Sequence, residues 1–128
     1  MSFNTISVVG LGYIGLPTAA MFASRKKQVI GVDINKHVVD TVNLGDIHIV
    51  EPGLNIMVKD AVAGGFLRAT TTPEPADVFL IAVPTPFLPQ ESVSSIPEPD
   101  LSYIEAASKA IAKVLKKAHG RDDENIIK

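Results

Sequence analysis

The sequence predicts an α/β fold with a doubly wound parallel sheet, and two observations carry this prediction. Short runs rich in Val and Ile recur along the chain, at residues 6–9, 29–34 and 78–83, with a weaker run at 66–70. None of them alternates apolar with polar residues, which is typical of parallel strands buried on both faces. Segments with helical spacing of apolar residues separate these runs, and such alternation of strand and helix indicates a doubly wound sheet.

Four segments carry the helical pattern, and the last of them is the clearest. Its apolar residues form one stripe, and either Asp100 or Ser102, the latter paired with Glu105, is expected to cap its first turn. Lysines occupy its last turns, where the negative end of the helix dipole favours cations. The segments span residues 13–24, 36–44, 54–63 and 101–117.

Length and composition indicate one domain over residues 1–128. The chain has 128 residues, of which 46% are hydrophobic, enough to bury a core. Four strands are expected, with the start of a fifth at Ile126, so we expect a sheet truncated after its fourth strand–helix unit. Five prolines predict an extended loop over residues 84–99. The strand at 78–83 is then expected to lie at an exposed edge of the sheet.

The composition also excludes several classes of function. The net charge is -2, from 12 basic and 14 acidic residues, which gives no reason to expect nucleic acid or an acidic membrane surface as a partner. The longest apolar run, residues 78–83, is too short to span a bilayer, and the N-terminus lacks the basic and apolar regions of a signal peptide. We therefore expect a soluble, cytoplasmic protein with no membrane partner.

The sequence offers no candidate metal ligands and no candidate catalytic residue. The absence of cysteine excludes disulfides, thiolate metal sites and cysteine nucleophiles within the chain. His37, His48 and His119 show neither metal-ligand spacing nor a nucleophile partner, so we expect them to be structural or exposed. Glu51, in the stretch VEPG, is expected either at the mouth of a cleft or in an exposed turn.

A glycine-rich stretch follows the first predicted strand. Gly10, Gly12 and Gly15 form the pattern G-x-G-x-x-G, in a strand–helix–strand unit of about 30 residues. In such a unit the first glycine permits a tight turn, the second lets a pyrophosphate approach the backbone, and the third lets the helix pack close to the sheet. The phosphates are expected on free N–H groups at the helix N-terminus. Pro17 favours a late helix start, near Ile14 or Gly15.

An acidic residue follows at the spacing that such a site requires. Asp33 ends the second predicted strand, 18 residues after Gly15. There a carboxylate accepts hydrogen bonds from the hydroxyls of the adenosine ribose and repels the 2′-phosphate of NADP. The sequence therefore predicts a Rossmann-type site that prefers NAD, with Lys36 near enough to soften that preference. A glycine turn with an unrelated surface aspartate is the alternative.

A second candidate site follows the apolar run at 78–83. Pro84 and Pro86 fix the backbone around Thr85 where the predicted strand leaves the sheet. Ligands of open parallel sheets bind at the carboxyl ends of the strands, so we expect the Thr85 hydroxyl to face the cofactor. An ordinary proline-rich strand exit is the alternative.

These stretches resemble the N-terminal NAD-binding domain of the UDP-glucose/GDP-mannose dehydrogenase family. The resemblance covers nearly the whole chain. It implies that Tyr13 and Ile14 offer backbone groups to the NAD pyrophosphate, that Asp33 holds the adenosine ribose, and that Thr85 lies near the nicotinamide. The stretches that carry it are ISVVGLGYIGLPTAAMFAS, VIGVDIN, GDIHIVEPGL, GGFLRATTTPEPADVFLIAVPTPF and PDLSYIEAASKAIAKVLKK.

The same resemblance implies an activity. Members of this family oxidise the C6 alcohol of a nucleotide sugar to a carboxylate in two hydride transfers, with NAD+ as the acceptor. Their thiol nucleophile, catalytic lysine and sugar-nucleotide pocket lie downstream of this domain, so the chain is expected to bind NAD but not to complete the reaction. The full-length enzyme is expected to act on a UDP-sugar and to form a homo-oligomer.

The sequence departs from the family pattern at two places, and two other classes of function remain as alternatives. The loop at 87–99 is longer than usual, and AHGRDDEN replaces a short turn. A Rossmann domain also serves in some proteins as a non-enzymatic nucleotide-sensing module. Methyltransferases that use S-adenosylmethionine also join a glycine loop to an acidic residue, although the three-glycine spacing and the Thr85 motif argue against that class.

Overall fold

A parallel four-stranded sheet forms the centre of the molecule. The computed structural model describes residues 3–89 and 96–119. The sheet has the spatial order β3-β2-β1-β4, and each neighbouring pair is parallel. The predicted fold class is confirmed. The strands are β1 Thr5–Val9, β2 Gln28–Val32, β3 Leu67–Thr70 and β4 Val78–Ile81.

Four helices follow the predicted segments closely. The late start of the first helix is confirmed, and Pro17 is its third residue, where no intrahelical hydrogen bond is lost. Asp100 caps the last helix, since its Oδ1 accepts from the Ser102 N–H at 2.9 Å. The Ser102 hydroxyl donates to the same oxygen at 2.6 Å, so the alternative box with Glu105 is not the one formed. The helices are α1 Gly15–Ser24, α2 Lys36–Asn43, α3 Leu54–Ala63 and α4 Ser102–His119.

Two of the strands end before the apolar runs that predicted them. β2 ends at Val32 rather than at residue 34, and β4 ends at Ile81 rather than at residue 83. The apolar residues beyond these ends, Ile34 and Val83, line a cleft instead of continuing the sheet. The apolar runs therefore extend past the strand ends into the residues that border the cleft, where Ile34 is 82% exposed.

Helices cover both faces of the sheet. On one face, α1, α2 and α3 pack over the larger core, which includes Ile6 and Val8 of β1. On the other face, α4 packs through Ala107 against Val9 and Val32. Alternate residues of β1 point to opposite faces, so one strand contributes to both cores.

The two edges of the sheet differ. At the outer edge of β3, the Asn43 side chain donates from Nδ2 to the Ala69 carbonyl at 2.9 Å and accepts at Oδ1 from the Ala69 N–H at 2.8 Å. The Asn43 amide thus pairs with the N–H and the carbonyl of Ala69 at this edge, as a neighbouring strand would. β4 forms the opposite edge, where Ile81 is 44% exposed. Among the described residues, no strand pairs with the other side of β4, in agreement with the edge position predicted for this strand.

The proline-rich loop folds back on itself. Phe87 and Pro99 form an isolated antiparallel bridge, and backbone hydrogen bonds of 2.7 and 2.6 Å flank it. Apart from this bridge, the described residues between 84 and 99 form no helix or strand, as predicted. Residues 90–95 and the fifth strand predicted at Ile126 lie outside the described residues.

Within residues 3–89 and 96–119, no three His, Asp or Glu side chains are grouped closely enough to hold a metal ion. No helix in that part of the chain is long and apolar enough to cross a membrane. His37 is exposed on α2, as expected, and the side chain of His119 lies outside what the structure describes.

Candidate functional site

A cleft of about 800 Å³ opens at the carboxyl ends of the strands. Residues that follow each of the four strands line it, and α4 forms one wall. Open parallel sheets bind their ligands at this end, and the volume is in the range usual for cofactor pockets. The cleft brings together the residues predicted for the two candidate sites except Gly15, which is buried at the start of α1 and does not line it. Those that line it are Gly10, Gly12, Tyr13, Ile14, Asp33 and Thr85.

Gly10 and Gly15 are required by the packing of the loop after β1. Gly10 has φ of +102°, and a Cβ there would lie 2.5 Å from the carbonyl oxygen of Ala82. A Cβ on Gly15 would lie 1.6 Å from the carbonyl oxygen of Gly10. Only glycine fits at these two positions, whether or not a ligand is bound.

Gly12 differs, because nothing in the protein restricts a side chain there. A Cβ on Gly12 would meet no heavy atom within 4 Å, and the residue has no left-handed φ. Gly12 lines the cleft, so the space beside its Cα is open to a ligand. This is the arrangement expected where the second glycine of the pattern lets a pyrophosphate approach the backbone.

The N-terminus of α1 offers a favourable environment for an anion. The helix has no side-chain cap and no acidic residue in its first turn. The Leu16 N–H in its first turn donates to the Gly12 carbonyl at 3.0 Å, and the helix dipole adds positive potential at this end of the helix. Tyr13 and Ile14, which precede the helix and line the cleft, are 68% and 73% exposed.

Asp33 is held in the cleft by two backbone hydrogen bonds. Its Oδ2 accepts from the Leu11 N–H at 3.0 Å, and its Oδ1 accepts from the Asn35 N–H at 3.0 Å. A carboxylate oxygen accepts more than one hydrogen bond, so both oxygens keep capacity for a ligand hydroxyl. The bond to Leu11 is a feature that the sequence did not predict, since it joins the acidic residue to the glycine-rich loop itself.

The strand order places the two candidate sites on either side of the glycine-rich loop. Asp33 follows β2 and Thr85 follows β4, and these strands are the two neighbours of β1. The connections from β1 therefore diverge to opposite sides, and such a switch point is where doubly wound sheets bind nucleotides.

The wall formed by α4 was not predicted as part of a site. Its lining residues recur at one-turn spacing on one face of the helix, and three of the four are alanine. Small residues on this face leave space between the helix and the strand ends. The signal was present in the sequence as an alanine stripe, but a stripe of that kind also occurs in ordinary helix packing. The lining residues are Tyr103, Ala106, Ala107 and Ala110.

Two residues between α2 and α3 differ in their position relative to the cleft. His48, expected to be structural or exposed, is half-buried and lines the cleft. Glu51 lies instead in the exposed turn before α3, where its carbonyl accepts from the Leu54 N–H at 3.2 Å. The segment after β3 also contributes to the cleft, through Thr71 and Thr72.

The sheet order, the glycine-rich loop and the position of Asp33 define a dinucleotide-binding domain of the Rossmann type. Comparison with known families identifies which one. Residues 4–122 match the NAD binding domain of the UDP-glucose/GDP-mannose dehydrogenase family. The chain belongs to this family, and the resemblance read from its sequence is confirmed.

Relatives of known function give the same result. The chain is 69% identical over 117 residues to UDP-N-acetyl-D-mannosamine dehydrogenase of Salmonella typhi, a match that covers 91% of this chain and 26% of that enzyme. It is 67% identical over 117 residues to NDP-N-acetyl-D-galactosaminuronic acid dehydrogenase of Ralstonia nicotianae, with the same coverage of both chains. The chain thus spans about a quarter of the length of the relatives that it matches.

Solved structures agree with the computed fold. The native UDP-N-acetyl-mannosamine dehydrogenase of Staphylococcus aureus superposes with a TM-score of 0.79 at 43% identity, over 87% of this chain and 26% of that one. The GDP-mannose dehydrogenase of Pseudomonas aeruginosa superposes with a TM-score of 0.77 at 34% identity, over 88% of this chain and 25% of that one. These neighbours are dehydrogenases, as the family match requires.

Proposed function

We propose that this chain is the cofactor-binding part of an NAD-dependent nucleotide-sugar 6-dehydrogenase, with the NAD pyrophosphate lying over Gly12. The open space at Gly12 is the observation that carries this proposal. Gly10 and Gly15 are explained by contacts within the protein, whereas no contact among the described residues requires glycine at position 12, so the space there is free for a ligand. The family and the location of the cleft support the same reading.

Each predicted cofactor residue then has a physical role. The backbone around Tyr13 and Ile14, at the uncapped start of α1, binds the pyrophosphate through N–H groups. Asp33 accepts hydrogen bonds from the adenosine ribose, and Leu11 holds its carboxylate in place. Thr85, on the other side of the loop, lies towards the nicotinamide. NAD+, when bound, accepts the hydride from the substrate, and these residues hold and orient it.

The remaining chemistry requires residues beyond those of this chain. The chain contains no cysteine, so the thiol nucleophile of the family has to come from sequence outside the quarter that it shares with its relatives. We place the sugar pocket there as well. On its own, the chain is expected to bind cofactor without oxidising a sugar.

For the sugar, we propose UDP-N-acetyl-D-mannosamine, oxidised to its uronate for the synthesis of cell-surface polysaccharide. The enzymes of that name from Salmonella typhi and Staphylococcus aureus support this choice. The Ralstonia relative, which is named for another N-acetyl sugar, is nearly as similar, so we propose nucleoside-diphosphate N-acetyl sugars as the substrate class. We further propose that the enzyme is cytoplasmic, where NAD and nucleotide sugars are both present, and homo-oligomeric.

A pair of chimeric enzymes tests this function. This chain replaces the corresponding N-terminal quarter of the Salmonella enzyme in one chimera and of the Ralstonia enzyme in the other, and NADH formation is followed with the sugar nucleotide of each parent. Both chimeras are expected to be active, each on its parent's substrate. Folded chimeras that bind NAD+ but oxidise neither sugar would contradict the proposal. A substrate preference that followed this chain would contradict the placement of the sugar pocket elsewhere.

A further inference from the structure

One polar group in the cleft has no assigned role in cofactor binding. His48 lies in the segment between α2 and α3, and its side chain lines the cleft. Its Nδ1 is enclosed and has no hydrogen-bond partner in the part of the chain that the structure describes. A buried polar atom without a partner destabilises a fold, so its persistence at the edge of a ligand cleft calls for an explanation.

The enclosed nitrogen determines what the other nitrogen does. A neutral imidazole carries its proton on one nitrogen and accepts at the other. An enclosed N–H without an acceptor is less favourable than an enclosed acceptor without a donor, so the enclosure of Nδ1 favours the tautomer that carries the proton on Nε2. Nε2 is not enclosed in this way, and the ring lines the cleft. His48 therefore presents an N–H donor to whatever occupies the cleft.

The strand order shows which half of a dinucleotide this donor reaches. Besides His48, the cleft is lined by Asp33 after β2 and by Thr71 and Thr72 after β3, whereas Thr85 follows β4. β3 and β2 lie on one side of β1 and β4 lies on the other. The segment that carries His48 connects α2 to α3, between β2 and β3 in the chain, so His48 belongs to the Asp33 side.

We propose that the Nε2–H of His48 donates a hydrogen bond to an acceptor of the adenosine half of the bound cofactor, a ribose oxygen or an adenine ring nitrogen. This inference rests on the proposed function, because it requires a dinucleotide in the cleft. It adds a donor to a half-site in which Asp33 supplies only acceptors. A ribose hydroxyl that donates its proton to Asp33 can still accept a hydrogen bond at its oxygen, and His48 can donate that bond.

The test compares two substitutions of His48 by calorimetric titration of the 128-residue chain. His48→Ala removes the donor, and His48→Gln keeps an N–H donor near the position of Nε2. His37→Ala is the matched control, because His37 is exposed on α2 and outside the cleft lining. NAD+, ADP-ribose and AMP are the probes, and circular dichroism checks that each variant is folded.

His48→Ala is expected to weaken all three ligands by the same factor, about three- to tenfold, as for one hydrogen bond. His48→Gln is expected to retain most of the affinity, and His37→Ala all of it. Unchanged affinity in His48→Ala would overturn the inference. Equal losses of affinity in His48→Ala and His48→Gln would also overturn it, because they would indicate a packing role. A loss for NAD+ and ADP-ribose but not for AMP would overturn it as well, because it would place the contact at the diphosphate. If the folded wild-type chain bound none of the three ligands, the proposed function would fail together with the inference.

Discussion

The Leu11 N–H lies 3.0 Å from Oδ2 of Asp33, and this hydrogen bond joins the glycine-rich loop to the carboxylate that follows β2. The loop and the acidic residue are separated by a helix in the chain, yet they are positioned as one unit. A pyrophosphate bound at Gly12 and a ribose bound at Asp33 are thereby held at a fixed separation. Preorganisation of this kind lowers the entropy that a ligand loses on binding.

Replacing Asp33 tests its role as the ribose-binding residue. Asp33→Ala is expected to weaken NAD+ binding by about 1–3 kcal/mol, because hydrogen bonds to the ribose hydroxyls are lost. The preference for NAD+ over NADP+ is expected to shrink, since the charge that repels a 2′-phosphate is gone. Titration of both cofactors measures the two effects.

Asp60→Ala is the control for this substitution, because Asp60 is an exposed carboxylate on α3 outside the cleft lining, so the net charge changes equally. It is expected to leave both affinities unchanged. Unchanged NAD+ affinity in a folded Asp33→Ala protein would remove Asp33 from the site.

The three glycines are expected to respond differently to alanine. Gly12→Ala is expected to fold with unchanged stability, because the new Cβ meets nothing within 4 Å. Its NAD+ affinity is expected to fall at least about tenfold, since the methyl group occupies the space of the pyrophosphate. Thermal unfolding and calorimetric titration report these two properties separately.

Gly15→Ala provides the contrast, because its Cβ would lie 1.6 Å from the Gly10 carbonyl oxygen. It is expected to be strongly destabilised or unfolded, since overpacking at backbone leaves no room to relax. If Gly12→Ala bound NAD+ as tightly as wild type, the position of the pyrophosphate would have to be revised.

The stability of the sheet at the edge formed by β3 is expected to depend on the Asn43 side chain. Asn43→Ala removes both hydrogen bonds to the Ala69 backbone. The free energy of unfolding is expected to fall by about 1–2 kcal/mol, because partly buried backbone groups lose their partners. Urea denaturation measures the change. Asn55→Ala, an exposed position on α3, is the control, and a loss as large in that variant would show that the effect is not specific to the edge.

Replacing Ser7 by alanine is expected to stabilise the fold. The residue is fully buried in β1, and its Oγ has no hydrogen-bond partner among the described residues. Ser7→Ala removes the cost of that enclosed hydroxyl, so the free energy of unfolding is expected to rise by about 1 kcal/mol. Chemical denaturation checks this. A marked loss of stability would mean that the hydroxyl has a partner in solution.

One ion pair is expected to contribute a small pH dependence of stability. Arg68 and Glu74 form two hydrogen bonds, of 3.0 and 2.6 Å, and that contact lowers the pKa of Glu74 from its ordinary value of 4.5. A carboxyl with a lowered folded-state pKa stabilises the fold above its unfolded pKa, and this contribution is lost as the pH falls through the folded pKa. Both side chains are well exposed, so we expect less than about 1 kcal/mol.

Glu74→Gln isolates this contribution. The substitution is expected to reduce stability at neutral pH by that small amount, and to leave stability unchanged at a pH well below the folded pKa, where Glu74 is protonated. Denaturation curves at the two pH values measure the difference. A larger effect of the substitution at low pH than at neutral pH would contradict the account.

Periodicity predicted the elements of the fold, because burial on both faces leaves a clear apolar run. All four strands and all four helices form where the sequence predicted them. The errors lie at strand ends, where the apolar residues Ile34 and Val83 line the cleft and do not extend the strands. The helix cap at Asp100 was one of two alternatives that spacing alone could not separate.

The candidate site was predictable where its residues follow one another at a fixed spacing in the sequence. Gly10, Gly12 and Asp33 belong to a local pattern of fixed spacing. His48 and the alanine face of α4 reach the cleft from segments distant in the sequence, and nothing in their local spacing distinguishes them from surface or packing residues. The bond from Leu11 to Asp33 uses a backbone N–H, which no residue type reveals.

The central claim is that this cleft binds NAD with its pyrophosphate at Gly12 and its adenosine ribose at Asp33. Parallel calorimetric titrations of the chain with NAD+ and with NADP+ test it most directly. The account predicts saturable binding of NAD+ and clearly weaker binding of NADP+. A folded chain that bound neither cofactor, or that bound NADP+ as tightly as NAD+, would contradict it.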